Sequence, residues 1–219
     1  MNEIELLSWL RGPGLQISVA LFVLGILFRT VQNLTIGMSK NLAEAKGSYF
    51  VPGLQTIVRR SLFHPGTTHR GYFTMIAGYT FHIGFLVTLF FLEQHILLFK
   101  SIIGFGWPSL SPTIVDMMAL VSIAALIAVL LHRIMDPVLK QISDFQDYLA
   151  WLLTIAPLIT GYLAMHPVAA SYQTALILHL ISAEVLLIVI PFTKLSHMVS
   201  IFISRWYNGA IAGYKGVKS

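Results

Sequence analysis

Five stretches of this chain are long and apolar enough to demand lipid as their solvent. A helix needs about 20 largely apolar residues to cross the hydrocarbon core. Backbone in lipid must also bond its own polar groups, which a helix does within one segment. The stretches cover residues 15–32, 72–99, 113–135, 148–165 and 172–203. The first is reached through Gly12-Pro13-Gly14, and the third closes at Asp136-Pro137. The fourth and fifth contain Pro157 and Pro191, which membrane helices tolerate, sometimes with a kink. The expected fold is all-α: a polytopic membrane protein with a five-transmembrane-helix bundle, forming one domain over residues 1–219.

Composition agrees. Apolar residues make up 56% of the chain and charged residues 11%, against about a quarter charged in soluble domains. A soluble core of 219 residues could not be covered by so few charges. The chain has no cysteine. That excludes disulfides, iron–sulfur ligation within the chain and the thioether attachment of c-type haem. Any cofactor is left to His, Met or carboxylate ligands. The N-terminus, MNEIELLSWLRG, is acidic where a signal peptide is basic, and no cleavage site follows its first apolar run. The first helix is therefore expected to stay in the mature protein.

The net charge of +5 reads as topology and not as a nucleic-acid footprint. Arg29, Lys40, Lys46, Arg59, Arg60 and Arg70 lie between or at the edges of the first two spans. Arg133 and Lys140 lie between the third and fourth, and Lys194, Arg205, Lys215 and Lys218 follow the core of the fifth. Only Arg11 and Lys100 fall on the opposite side. The positive-inside rule puts the N-terminus outside and the C-terminus in the cytoplasm, as for an integral protein of a prokaryotic inner membrane. The connection over roughly residues 33–70 is then cytoplasmic. Within it, Leu54 to Phe63 has apolar residues at helical spacing, with Arg59 and Arg60 on the other side. This predicts an interfacial amphipathic helix. Two compatible roles stand open for it: lying on the headgroups, and forming part of a docking platform for a cytoplasmic partner.

Eight histidines remain: His64, His69, His82, His95, His132, His166, His179 and His197. Ionisable groups in a membrane helix are costly and usually functional, and a neutral imidazole is a strong axial ligand for haem iron. His179 and His197 are 18 residues apart. In one regular helix that is about five turns, so both point one way, with a rise of about 27 Å. His82, on the antiparallel second span, falls at the level of His197. Facing helices hold cofactors through such inward side chains, so His82, His197 and His179 point to b haem between spans two and five; the other reading is polar glue, with the rings hydrogen-bonding across helices. His95 has the depth to face His179. Its azimuth is wrong, because the 13 residues from His82 leave the two side chains about 140° apart on one helix. A kink or helix end near Glu93 would correct this; otherwise His95 is an interfacial residue or a quinone contact. His132 reads as interfacial or, with Arg133, as a haem-propionate partner, and Arg29 is a second propionate candidate. The simpler role of both arginines is topology and snorkelling. His166 reads as an outer loop residue. His64 and His69 belong to the basic connection, where His69 competes for the inner haem.

These features resemble a family. LGILFR at Leu24–Arg29, FHIG at Phe81–Gly84, LHL at Leu178–Leu180 and PFTKLSHMVS at Pro191–Ser200 are similar to the cytochrome b (gamma) subunit of membrane-bound respiratory nitrate reductases. Related membrane subunits of heterodisulfide-reductase-like and sulfite-reduction complexes are similar too. The resemblance covers nearly the whole chain. It implies a bis-His haem b protein, with one or two haems, that uses quinol or quinone as substrate. It also implies an iron–sulfur subunit on the cytoplasmic side and a separate catalytic subunit as partners. His82 and His197 match the family's inner pair, and His179 matches one outer ligand. The other outer ligand belongs near Leu92, where this chain reads FLEQH. Either His95 takes that place or the outer haem is missing.

Two rivals come from other classes. One is a haem-free membrane anchor that docks soluble redox subunits. The other is a proton-coupled transporter, which more often shows repeated halves and midplane carboxylates. Here only Glu184 lies well inside a span. It is expected to pack against another helix or a polar neighbour, and it is placed to tune the outer site.

Overall fold

The computed structural model describes residues 2–36, 42, 44–62, 69–168 and 171–217, with His69 and Arg70 described by backbone alone. Lys40, His64 and Lys218 lie outside the described residues, as does Phe63 at the end of the expected amphipathic helix. The described residues form helices and connecting turns, with no strand. Five helices are long and apolar enough to cross a membrane, so the chain is an integral membrane protein of the expected all-α class.

The helices are α1 (Glu3–Thr35), α2 (Phe50–Ser61), α3 (His69–Phe91), α4 (Glu93–Ile103), α5 (Pro112–Met135), α6 (Pro137–Ile142), α7 (Phe145–Met165), α8 (Tyr172–Val189) and α9 (His197–Tyr214). Their ends follow from local chemistry. Asn2 and Glu5 form a reciprocal capping box that starts α1 twelve residues ahead of the expected Leu15. Gly12-Pro13-Gly14 does not break α1. It is absorbed in a π-helical turn, Leu10–Gly14, whose wider pitch accommodates the proline's missing N–H and its ring. Asp136 ends α5 and caps α6 through the backbone N–H groups of Val138 and Leu139. Asp144 and Asp147 box the start of α7. Pro157 sits inside α7 without interrupting it.

The second and fifth spans differ from expectation. The second does not run to residue 99. It ends at Phe91, with Leu92 extended (φ −73°, ψ 129°), and α4 begins at Glu93. The fifth does not run to residue 203. Pro191 removes a donor, and the chain passes through two 3-10 turns, Ile190–Phe192 and Lys194–Ser196, joined by an extended Thr193. His197 then opens a new helix. His179 and His197 therefore do not share one regular helix, and the expected common direction of their side chains is lost.

The chain divides into two compact units: Met1–Leu15 with His69–Leu186, and Gln16–Thr68 with Leu187–Ser219. In the first unit α3 packs along α5, closest where Gly84 meets Ser122, whose hydroxyl bonds the Phe81 and Met118 carbonyls. Small residues at helix contacts and hydroxyl bonds to backbone are the usual adhesives in lipid. Leu126, Ile155 and Leu158 form the core between α5 and α7, with Phe81, Phe85, Ile123 and Trp151 against it. The Trp151 indole donates to the Leu126 carbonyl at 2.8 Å.

In the second unit α2 packs antiparallel on α9. Gly53 sits against Trp206, Gly209 against Thr56 and Pro52, and Gly213 against Pro52 and Ser48. The Arg205 guanidinium donates to Ser61 Oγ at 2.7 Å, and Lys46 N–H to the Tyr214 carbonyl at 2.8 Å. The amphipathic helix read from the connection is thus real, although its inner face is buried by α9. Gly209→Val forces α2 off α9 and destabilises this unit by roughly 1–3 kcal/mol, the range for overpacking. Thermal unfolding of the purified chain checks this. Gly12→Ala, where nothing lies within 4 Å, leaves the midpoint unchanged.

Candidate functional site

The end of α3 builds the site. A helix leaves its last four carbonyls without intrahelical partners, and in lipid each one left bare costs several kcal/mol. Here those carbonyls belong to Thr88, Leu89, Phe90 and Phe91, and all four are bonded. His95 Nδ1 reaches Thr88 and Leu89 at 3.2 and 3.1 Å. The Trp107 indole donates to Phe90 at 2.6 Å, and Leu110 N–H to Phe91 at 3.1 Å. Phe90, Phe99 and Trp107 stack beside this turn, with successive centroids 5.7 Å apart. The break at Leu92 thus swings α4 around, and His95 closes the α3 terminus. This is the helix end near Glu93 that the azimuth of His95 required. Glu93 and Lys100 are exposed on the same short helix.

His179 comes to the same place from α8. Its ring centroid is 6.0 Å from that of His95, with the planes 16° apart. Its Nδ1 lies 3.1 Å from the Pro157 carbonyl of α7. The ring has room because residue 161 is glycine: a Cβ there would stand 2.9 Å from Cε1 and 3.0 Å from Nδ1. The hydroxyls of Thr160 and Ser182 meet at 2.9 Å and tie α7 to α8 beside it. Gly161 was not picked out by sequence reasoning, and Pro157 was read only as a proline tolerated inside a span. A glycine opposite a span histidine was the only available signal, and it does not stand out from the other glycines.

His82 and His197 show the same local arrangement, each within its own unit. His82 Nδ1 is 2.6 Å from the Gly78 carbonyl one turn back in α3, and His197 Nδ1 is 2.8 Å from the Lys194 carbonyl. A carbonyl oxygen only accepts. The Nδ1 atoms of His95 and His179 therefore carry the proton in that pair, and their Nε2 atoms carry the lone pair that a metal takes.

The other candidates separate cleanly. Arg133 already has an anion: its guanidinium lies 3.3 Å from Asp147 and donates to Ser143 Oγ at 2.9 Å, which fastens the α5–α7 turn. Arg29 has no carboxylate within salt-bridge distance among the described residues; it donates to the Pro191 carbonyl and to Gln32, each at 2.9 Å. His132 packs edge-on to Phe73, with centroids 4.5 Å apart. His166, beside Tyr162, pairs with Asp116 at 3.1 Å. Glu184 packs against another helix, as expected. The residue is 7% exposed, and its carboxyl lies near Gly14 of the π-helical turn, as does the Trp9 ring, with Oε1 unbonded among the described residues.

No group of three or more His, Cys, Asp or Glu side chains is arranged for a bare metal ion among the described residues. Paired imidazoles suit a metal that brings its own equatorial ligands. His95 and His179 lie stacked with ring centroids 6.0 Å apart, and imidazole is a donor that haem iron accepts.

The fold and these paired imidazoles define a class: an integral membrane protein with five membrane-length helices and histidines built into them. Over 204 residues the chain is 32% identical to a protein of Nitratidesulfovibrio vulgaris, covering 90% of this chain and 89% of that one, and it belongs to that protein's family. No family model and no solved structure matches.

Because the chain is free of cysteine, a pair introduced as His95→Cys and His179→Cys is expected to be bridged in high yield by a short bis-maleimide. Mass spectrometry of the joined peptides reads the result. No bridge would mean that α4 does not turn toward α8.

Proposed function

We propose that this chain is a haem b-holding membrane subunit of a respiratory oxidoreductase complex, similar to the gamma subunit of nitrate reductases. In this reading it passes electrons between the quinone pool of a prokaryotic inner membrane and an iron–sulfur partner on the cytoplasmic side. One observation carries the reading. His95 and His179, both singled out by spacing and resemblance, lie with ring centroids 6.0 Å apart, each with its Nδ1 against a backbone carbonyl.

His95 and His179 are the outer pair, and the resemblance supplies His82 and His197 as the inner ligands. Bound haem supplies reversible one-electron transfer, which a quinol giving up two electrons and two protons needs. The protein's part is orientation. The freed carbonyls at the α3 terminus fix the tautomer and direction of His95. The Pro157 carbonyl does the same for His179, and Gly161 leaves its ring the space. Such supporting bonds typically change metal affinity 10–100-fold when removed. Arg29, with no acidic partner in reach among the described residues, is the propionate candidate, whereas the charge of Arg133 is already matched by Asp147. Distribution of Lys and Arg supports the N-terminus outside, which puts the His95–His179 pair toward the outer leaflet.

A reduced-minus-oxidised spectrum with haem quantitation tests this. The account expects two haems per chain in the wild type. His95→Ala and Gly161→Ala each lower that to one while the chain stays folded and membrane-inserted. His82→Ala removes the other. No haem in the wild type would end the reading in favour of a haem-free anchor.

A further inference from the structure

We propose that α2, clamped to α9, is a foot on an anionic bilayer surface, with the face of α2 opposite α9 set into the boundary between headgroups and acyl chains. This goes beyond the electron-transfer reading and does not depend on it.

The two faces of α2 differ in kind. Gly53 and Thr56 point at α9 and are buried, Thr56 to 1% exposed. Away from α9, Val51, Leu54 and Val58 are 54, 46 and 60% exposed, and Phe50, at the edge where it meets Trp206, is 62% exposed. At 100° per residue these four side chains fall within roughly 100° of the helix circumference. Gln55 and Arg59 follow at one edge of the stripe, both exposed. An apolar stripe edged by Arg is the pattern of a helix lying in the membrane interface, where the guanidinium reaches phosphate while its stem stays in the apolar layer.

The glycine contacts hold that stripe in a fixed direction. Gly53, Gly209 and Gly213 bring the two helix backbones close, and the Tyr49–Trp206, Phe50–Trp206 and Tyr49–Tyr214 ring pairs seal the contact. With α9 on one side, α2 cannot roll to hide its outer face.

Chain length supplies the occupant. The fifth membrane-length segment ends at Phe192, and α9 begins five residues later at His197. Five residues span at most about 17 Å, so the bilayer surface is the apolar phase within reach of the pair. The charge matches it: Arg59, Arg60 and Lys194 are exposed, and basic residues near the surface attract anionic lipid at about 1 kcal/mol each. The sequence left headgroups and a protein partner both open, and the stripe, its basic edge and the short tether favour lipid.

The test uses the full cysteine-free chain, carrying Leu54→Cys, Val58→Cys or Gln55→Cys one at a time, with a nitroxide on each. Purified protein is reconstituted in vesicles containing phosphatidylglycerol. Collision with oxygen, which concentrates in lipid, is compared with collision with a water-soluble nickel chelate. The proposal expects the oxygen-to-nickel ratio at 54 and 58 to exceed that at 55 several-fold, and to fall when Arg59→Gln and Arg60→Gln are added. Equal ratios at the three positions would place the face in water and overturn it. So would ratios at 54 and 58 that stay water-like until a soluble protein is added, the mark of a protein-docking face. Haem content plays no part in the readout, so this idea and the cytochrome reading can fail separately.

Discussion

Lipid does not hydrogen-bond a carbonyl. When α3 stops at Phe91, four carbonyls lose their helical partners inside or beside the hydrocarbon, and the chain must supply donors for each. It does so with one imidazole, one indole and one backbone N–H. The imidazole belongs to His95. The need to close a helix therefore also fixes which nitrogen of His95 is protonated and where its ring lies. The break, the turn of α4, the aromatic stack over it and the approach to His179 follow from that one requirement.

The opposite side of the site is set by absence of bulk. His179 lies over Gly161, and its tautomer is held by a carbonyl from α7. A side chain as small as alanine at 161 intrudes on the ring. The same logic runs through the second unit, where Gly53, Gly209 and Gly213 let α2 and α9 approach more closely than larger residues allow. In lipid, close backbone approach replaces the hydrophobic drive that holds soluble helices together.

The five spans were legible in the sequence because apolar length is a strong signal that does not depend on tertiary context. The ends capped by Asp136 and Asp144 were close to expectation for a similar reason, since those caps are local. The interruptions were harder. Pro191 was visible as a proline, but whether it kinks a span or ends it depends on what takes up the freed groups, and here two 3-10 turns and an Arg29 side chain do so. Gly12-Pro13-Gly14 looked like a boundary and is a π-helical turn. The break at Leu92 has neither proline nor glycine to announce it. A kink or helix end there was one of the openings left for His95, whose azimuth was wrong without it, while the span itself was read through to residue 99. Gly161 and the Pro157 carbonyl carry no sequence signature, since their role is defined by a ring from another helix.

The central claim is that His95 and His179 are two imidazole ligands of one low-spin haem iron, oriented by the α3 terminus and by α7. Electron paramagnetic resonance of the oxidised, purified chain tests it most directly, because the signal reports ligand type and the angle between ligand planes. Imidazole planes held near the observed 16° predict a rhombic low-spin ferric signal that disappears in His179→Ala. A protein with no low-spin ferric haem, or one whose rhombic signal survives His179→Ala, would contradict the account.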